Sequence, residues 1–332
     1  MATIKDVAKR ANVSISTVSL AFNNPERVSE NTRNKIFNAA RILNYISANQ
    51  VRKKESVVRN EKTVAVLMEN IIGPFWFEIL HGIAETLNVS GYEMALFSSN
   101  DSFDKHFLDL VNGKECLGII LISIGENHVD ILKMAAAQHF PIVMCDPVDT
   151  YAGIGSVRVD QHYVGQLAAE HFIQLKKKKI AILGTCPKHC VERKIGFIET
   201  LKNFDIQIPD NWNIDCMISE EQSYQTMYSF LEDEKDLPDA IFCVNDEAAI
   251  GTIHALQKFE IDVPKAVSVI GCDNISIGRF NNPMLTTIEI PKYEVGVLAA
   301  NMVLRMISGL SAENILLNGK LIVRESTCLT RK

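Results

Sequence analysis

Thr3-Ile4-Lys5-Asp6-Val7-Ala8-Lys9-Arg10-Ala11-Asn12-Val13-Ser14-Ile15-Ser16-Thr17-Val18-Ser19-Leu20-Ala21-Phe22 is the stretch on which the reading of this chain turns. It scans as two short helices around a tight corner. Thr3 is a helix cap, and the Asp6 carboxylate meets the positive end of the first turn. Val7, Ala8 and Ala11 then share one face. Asn12 ends the helix, because Asn tolerates a left-handed backbone. Val13 is an apolar plug, and Ser14 caps a second helix. The inward face of that helix is Val18, Ala21 and Phe22; Ser14, Ser16, Thr17 and Leu20 face outward. Asn23-Asn24-Pro25 breaks it. Ser29 caps a third helix from Glu30 to about Leu43, with Ile36, Ala39, Ala40 and Leu43 facing inward. An N-terminal all-α helix-turn-helix head is predicted.

The outward residues suggest a use. A helix that reads base edges approaches them through short side chains that donate and accept hydrogen bonds. Ser and Thr at its N-terminus fit, and the positive helix end favours phosphate. A three-helix module for another partner is the plainer alternative. The charge distribution favours nucleic acid. The 332-residue chain has a net charge of −6, yet residues 1–62 hold 12 Lys and Arg against 5 Asp and Glu, a local +7. The rest carries −13. A basic head on an acidic body is expected where only the head meets phosphate.

From Thr63 onward, short apolar runs alternate with amphipathic stretches. Strands are predicted at Val64–Met68, Glu93–Phe97, Gly118–Ile122, Ile142–Cys145, Lys179–Leu183, Ala240–Val244, Val267–Gly271 and Leu321–Glu325. A helix is predicted from Phe75 to Ser90, with Phe77, Leu80, Ala84 and Leu87 near one face. The alternation implies an α/β body of two doubly wound parallel-sheet lobes. In such sheets ligands sit beyond the carboxyl ends of strands. Phe75 and Trp76 stand there, with faces suited to sugar C–H surfaces or flat bases. Ser123, Asp146, Asn245, Asp246 and Asp273 follow strands and offer polar groups to hydroxyls. Arg193 offers a planar fork for a carboxylate, phosphate or vicinal hydroxyls. Plainer roles exist for some: Asp246 as a helix cap, Phe75 as core.

Other classes find little support. Most of the eight cysteines lie in apolar runs, as buried free thiols of a reducing compartment do. Cys186-Pro187-Lys188-His189-Cys190 has no second ligand pair and reads as a loop rather than a metal site. No cofactor or metal is expected. Nothing reads as a signal peptide or a membrane span, so a cytoplasmic location and no membrane partner are expected. No Gly-x-Ser-x-Gly elbow, phosphate loop or histidine cluster marks an enzyme.

Thr3–Ala8, Ala11–Ser14, Ser16–Ser19, Val28–Arg33 and Leu43-Asn44-Tyr45, in that order and spacing, resemble the opening of the LacI/GalR family of bacterial transcription regulators. The body is similar to the family's sensor, which resembles periplasmic sugar-binding proteins. Its anchors are Gly73–Trp76, Arg193–Phe197, Cys243–Asp246, Val269–Asn274, Leu285–Ile288 and Val323–Ser326. The resemblance implies a repressor with a DNA-binding domain at 1–46, a basic hinge at 47–61 and an effector-binding and dimerisation domain at 62–332. Lobe one would take about 62–160 and 291–320, and lobe two 161–290 and 321–332, with the ligand in the cleft between them. It implies that Ile15, Ser16 and Leu20 read bases, beside Ser14 and Thr17, while Thr3, Asn23 and Tyr45 hold the backbone. Arg52, Lys53 and Lys54 would contact phosphates or enter a narrow A·T groove. The implied partners are double-stranded operator DNA, a second copy in a homodimer, and a small effector. A sugar, sugar phosphate or nucleoside-like molecule is expected, with the sign of control left open. The alternatives are a protein co-regulator in place of the effector and, more distantly, a solute-binding protein. No leucine heptad follows Leu321–Glu325, so no tetramer is expected.

Several positions depart from the family's pattern. A polar or basic residue is usual where Leu20 stands; leucine can meet a thymine methyl but cannot hydrogen-bond a guanine. A proline is usual at Ser47, and a leucine that wedges into the minor groove at Lys54. Less bending and more phosphate contact are therefore expected, with a steep salt dependence. Sugar-responsive relatives often have Asp-Arg where this chain has Asp146-Pro147. An aliphatic Ile218 stands where some relatives place an aromatic wall.

Overall fold

The computed structural model describes residues 3–23, 27–43, 45, 62–68, 75–98, 103–113, 115–122, 128–184, 188–233 and 236–327. The chain divides into one unit up to Glu61 and another from Lys62 onward.

The first unit holds helices α1 (Ile4–Ala11), α2 (Ile15–Asn23) and α3 (Glu30–Ile42). The Asp6 carboxylate accepts from both the backbone N–H and the hydroxyl of Thr3 at 2.7 Å, fastening the start of α1. Asn12 takes the left-handed conformation that ends it, with φ 52°. Ser14 Oγ accepts from the Thr17 N–H at 3.1 Å and opens α2. Val7, Val18, Ala21 and Ile36 close the core with no exposed surface. Leu20 differs from its predicted outward place: it is half-buried and packs on this core.

The second unit carries two six-stranded sheets. The first runs in the order β2 (Glu93–Ser98), β1 (Thr63–Met68), β3 (Gly118–Ile122), β4 (Ile142–Cys145), β5 (Gly155–Val159), β11 (Asn314–Leu317), all parallel. The second runs β7 (Asn213–Ile214), β6 (Ile180–Leu183), β8 (Ala240–Cys243), β9 (Ser268–Cys272), β10 (Thr286–Glu289), β12 (Lys320–Ile322). Its strands are parallel except that β12 runs antiparallel to β10. Every residue of β1, β3, β4, β6, β8 and β9 is buried, as expected of strands covered on both faces. The predicted strand at Leu321–Glu325 is thus shorter and begins earlier. Past Ile322 the chain is held at Ser326 by backbone and side chain together: its carbonyl accepts from Val269 N–H at 3.0 Å, and its Oγ donates to the Val269 carbonyl at 2.6 Å and accepts from Thr286 N–H at 2.8 Å.

Helices α4 (Phe75–Val89), α5 (Phe103–Gly113), α6 (Val129–Ala137) and α11 (Lys292–Ile307) serve the first sheet. Helices α7 (Gln161–Gln174), α8 (Lys188–Lys202), α9 (Glu220–Asp233) and α10 (Asp246–Lys258) serve the second. On α4 the inward set is Ile79, Leu80, Ile83 and Leu87; Phe77, predicted inward, is 61% exposed. Residues from Lys188 to Cys190 open α8 rather than forming a loop. The chain passes between the sheets at 160, 290–291 and 318–319. Cys116, Cys145, Cys216, Cys243 and Cys272 are buried free thiols. Among the described residues, no helix is long and apolar enough to cross a membrane.

Two helix pairs set the geometry that follows. A β-carbon on Gly165 would lie 2.0 Å from the Arg193 carbonyl oxygen, and one on Gly196 would lie 2.1 Å from that of His162, so α7 and α8 touch through backbone. Gly82 and Gly296 do the same for α4 and α11. Gly165→Ala must push α7 from α8, an overpacking cost of about 1–3 kcal/mol. Urea unfolding should show that loss, and an unchanged midpoint would mean that the helices part freely.

Candidate functional site

On the head, most of the candidate base-reading side chains lie at the N-terminus of α2. Ser14, Ile15 and Ser16 are exposed, and Thr17 is half-buried. Ser14 Oγ lies 2.7 Å from both Ser16 Oγ and Thr17 Oγ1, so three hydroxyls form one hydrogen-bonded cluster. A hydroxyl in such a cluster can turn to donate or accept. Thr3 is exposed at the start of α1. Tyr45 is half-buried, its ring edge-on to Phe22 at 5.9 Å. Asn23 ends α2. Ser47, Arg52, Lys53 and Lys54 lie outside the described residues, as does Ser123.

In the body, the strand-end candidates converge. Asp146 and Asp273 follow β4 and β9 with φ of 48° and 108°, conformations that turn the chain away from the sheet. Asp tolerates positive φ better than bulkier residues do. Arg193, only 3% exposed, comes up from α8. Its Nε and Nη2 donate to Gln161 Oε1 at 3.0 and 2.7 Å, and its Nη1 donates to the Val244 carbonyl. That same Nη1 lies 3.8 Å from the Asp273 carboxylate. Gln161 donates in turn to Asp146 Oδ2 at 3.1 Å, and Asp146 Oδ1 accepts from Val159 N–H at 3.0 Å. Phe75 and Trp76 open α4 with their rings edge-to-face at 4.8 Å.

Lys292 joins the two groups, and nothing in the sequence singled it out. It is 2% exposed at the first position of α11. Its Nζ donates to the Asp273 carbonyl, stands 3.4 Å from Glu78 Oε1 and lies 5.8 Å from the centre of the Phe75 ring. The only available signal was its place just after Pro291, where the chain returns to the first sheet. Gln161, which supports the Arg193 fork, was missed for the same reason: both residues start a helix after a crossing.

Asn245 and Asp246 are committed within the second lobe. Asn245 caps α10, its Oδ1 accepting from Ala248 N–H at 2.9 Å, and its Nδ2 donates to the Ile218 carbonyl at 3.1 Å. Asp246 accepts from Ile275 N–H at 2.8 Å and from Thr287 Oγ1 at 2.6 Å. Burial, reinforced by the neighbouring Asp273 charge, pushes its carboxyl up to about 8. A cavity of about 330 Å³ opens beside Asp146, between Arg158 on the first sheet and Gln161, His162 and Glu192 on the second lobe's helices.

The raised Asp246 carboxyl has a signed consequence. At neutral pH the folded chain holds a proton that the unfolded chain, with its ordinary value of 3.8, has lost. The stabilisation is complete below the unfolded value, and it declines as pH rises until the folded value, about 8, is passed. Asp246→Asn removes this titration. The urea midpoint of the native chain, relative to the variant, should therefore fall between about pH 5 and pH 8 and then level off. A difference that stays constant with pH would mean that Asp246 is charged in the fold.

Residues 3–48 match the family described as "Bacterial regulatory proteins, lacI family", and residues 153–327 match the "Periplasmic binding protein-like domain". The HTH-type transcriptional repressor PurR of Histophilus somni is 31% identical over 98% of this chain and 99% of its own. The NTD biosynthesis operon regulator NtdR of Bacillus subtilis is 31% identical over 98% of this chain and 100% of its own. The lac repressor dimer, solved bound to operator and the anti-inducer ONPF, superposes with a TM-score of 0.69 at 22% identity, covering 98% of this chain and 99% of that one.

Proposed function

The chain belongs to the lacI family of bacterial regulatory proteins, and from that premise we propose how its own residues carry out repression. It is a DNA-binding transcriptional repressor with an effector-binding domain. The carrying observation is the exposed Ser14-Ile15-Ser16 turn of α2, in a chain similar to repressors along its length. Ile15 and Ser16 read base edges, with Leu20 meeting a thymine methyl at the side of its half-buried position. Ser14, Thr17, Thr3, Asn23 and Tyr45 position the helix. Arg52, Lys53 and Lys54 add phosphate contacts.

One such helix covers a half-site. A palindromic operator therefore calls for a homodimer. The work is done where the DNA is, in the cytoplasm, and it involves no catalysed reaction. The effector is a sugar, sugar phosphate or nucleoside-like molecule held between the lobes. Phe75 and Trp76 supply a flat apolar wall, while Arg193, Asp273 and Asp146 supply polar contacts. Binding favours one arrangement of the lobes over another and changes operator affinity by about 5–150-fold.

Fluorescence anisotropy on a palindrome selected against the protein tests this. Affinity should fall steeply with salt, with a log–log slope of about −4 or beyond if several phosphates are neutralised. Ser16→Ala should cost about 1–3 kcal/mol and relax the preference at one base pair of each half-site. Asp273→Asn should remove the response to effector while the palindrome still binds. Binding with no preference for palindromes would end the reading.

A further inference from the structure

Two cations lie deeper in the cleft than any of its carboxylates except Asp246. Arg193 is 3% exposed and Lys292 is 2% exposed. Both converge on Asp273, Arg193 toward its carboxylate and Lys292 through its backbone carbonyl. Asp246, the fully buried acid nearby, spends both carboxylate oxygens within the second lobe, on Ile275 N–H and the Thr287 hydroxyl. The carboxylate facing the Lys292 ammonium is Glu78, at 3.4 Å, and the Glu78 side chain is 53% exposed.

A buried ammonium needs an anion or a full set of acceptors, because its desolvation costs several kcal/mol. Glu78 meets that need from the rim, and a half-exposed side chain must surrender rotamer freedom to do so. An anion that arrived already fixed in the cleft would serve better. The Phe75 ring, 5.8 Å from Nζ, marks the wall along which the rest of such a molecule would lie.

We propose that the effector of this chain carries an anionic group, a phosphoryl or a carboxylate, which docks against Lys292 and replaces Glu78 there. This rests on the reading of the cleft as the effector site. Lys292 is then the residue that sets the charge preference of that site, and Glu78 is the group that the anion displaces. The ammonium comes from α11 of the first lobe and its carbonyl partner from the turn after β9 of the second, so the arriving anion touches a bridge between lobes.

The test is calorimetric titration of the full chain with matched pairs: ribose and ribose 5-phosphate, glucose and glucose 6-phosphate, glucose and gluconate, adenosine and adenosine monophosphate. The native chain, Lys292→Met, Lys292→Arg and Glu78→Gln are compared after thermal unfolding has shown each to be folded. At least one charged member should bind about tenfold or more tighter than its neutral partner. Lys292→Met should erase that gap, Lys292→Arg should keep most of it, and Glu78→Gln should widen it. Gluconate against glucose 6-phosphate tells carboxylate from phosphoryl. Neutral members binding as well as charged ones, with Lys292→Met unchanged, would overturn the inference and leave the cleft reading standing. No binding by any of the four proteins would overturn the cleft reading and the inference together.

Discussion

At the end of β9 the chain turns through Asp273 with φ 108°, a region that residues with a β-carbon rarely enter. Such a conformation persists only where its surroundings hold it. Here they do. Its N–H donates to the Ile288 carbonyl at 2.8 Å, its carbonyl receives Lys292, and its carboxylate faces Arg193. The segments after β9, at the start of α11 and within α8 are tied at this one residue. Through Gln161 the tie reaches Asp146, and through Lys292 it reaches Phe75 and Glu78.

The helices that deliver these side chains have little freedom. Gly165 and Gly196 bring α7 and α8 into backbone contact, which fixes Gln161 against Arg193. Gly82 and Gly296 bring α4 and α11 together, which fixes Phe75 and Glu78 against Lys292. Each pair is thus held by backbone contact within its own lobe. Polar contacts between the lobes, from Lys292 to Asp273 and from Gln161 to Asp146, are ones that a ligand's own groups can exchange. A small molecule changes the balance of two arrangements only through such differential contacts.

Much of this was legible in the sequence, because the parallel sheets announce themselves. The runs at Gly118–Ile122 and Ile142–Cys145 are strands to the residue, since a strand buried on both faces must be apolar throughout. Asp146, Arg193 and Asp273 were legible by their place after strands or by family resemblance. Lys292 and Gln161 were not, because residues at chain crossings have no periodicity to betray their direction. Phe77 misled for a related reason: an apolar residue on a helix is read as inward, and nothing local tells that α4 buries Ile79 and Ile83 instead. The end of the chain misled because hydrogen bonds of Arg324 and Ser326 do the work that a strand was expected to do.

Leu20 shows how burial bears on the head's specificity. A base-reading residue must be free to extend from its helix, and Leu20 instead packs on the core that Val18, Ala21 and Ile36 close. In the proposed complex the contact it would offer DNA is apolar and short, suited to a methyl group and indifferent to hydrogen-bonding pattern. On the proposed reading, discrimination falls to Ile15 and Ser16, and Ser16 already shares its hydroxyl with Ser14. A helix with so few directional contacts depends more on how phosphates position it. The +7 charge gathered in residues 1–62 of an otherwise acidic chain meets that requirement.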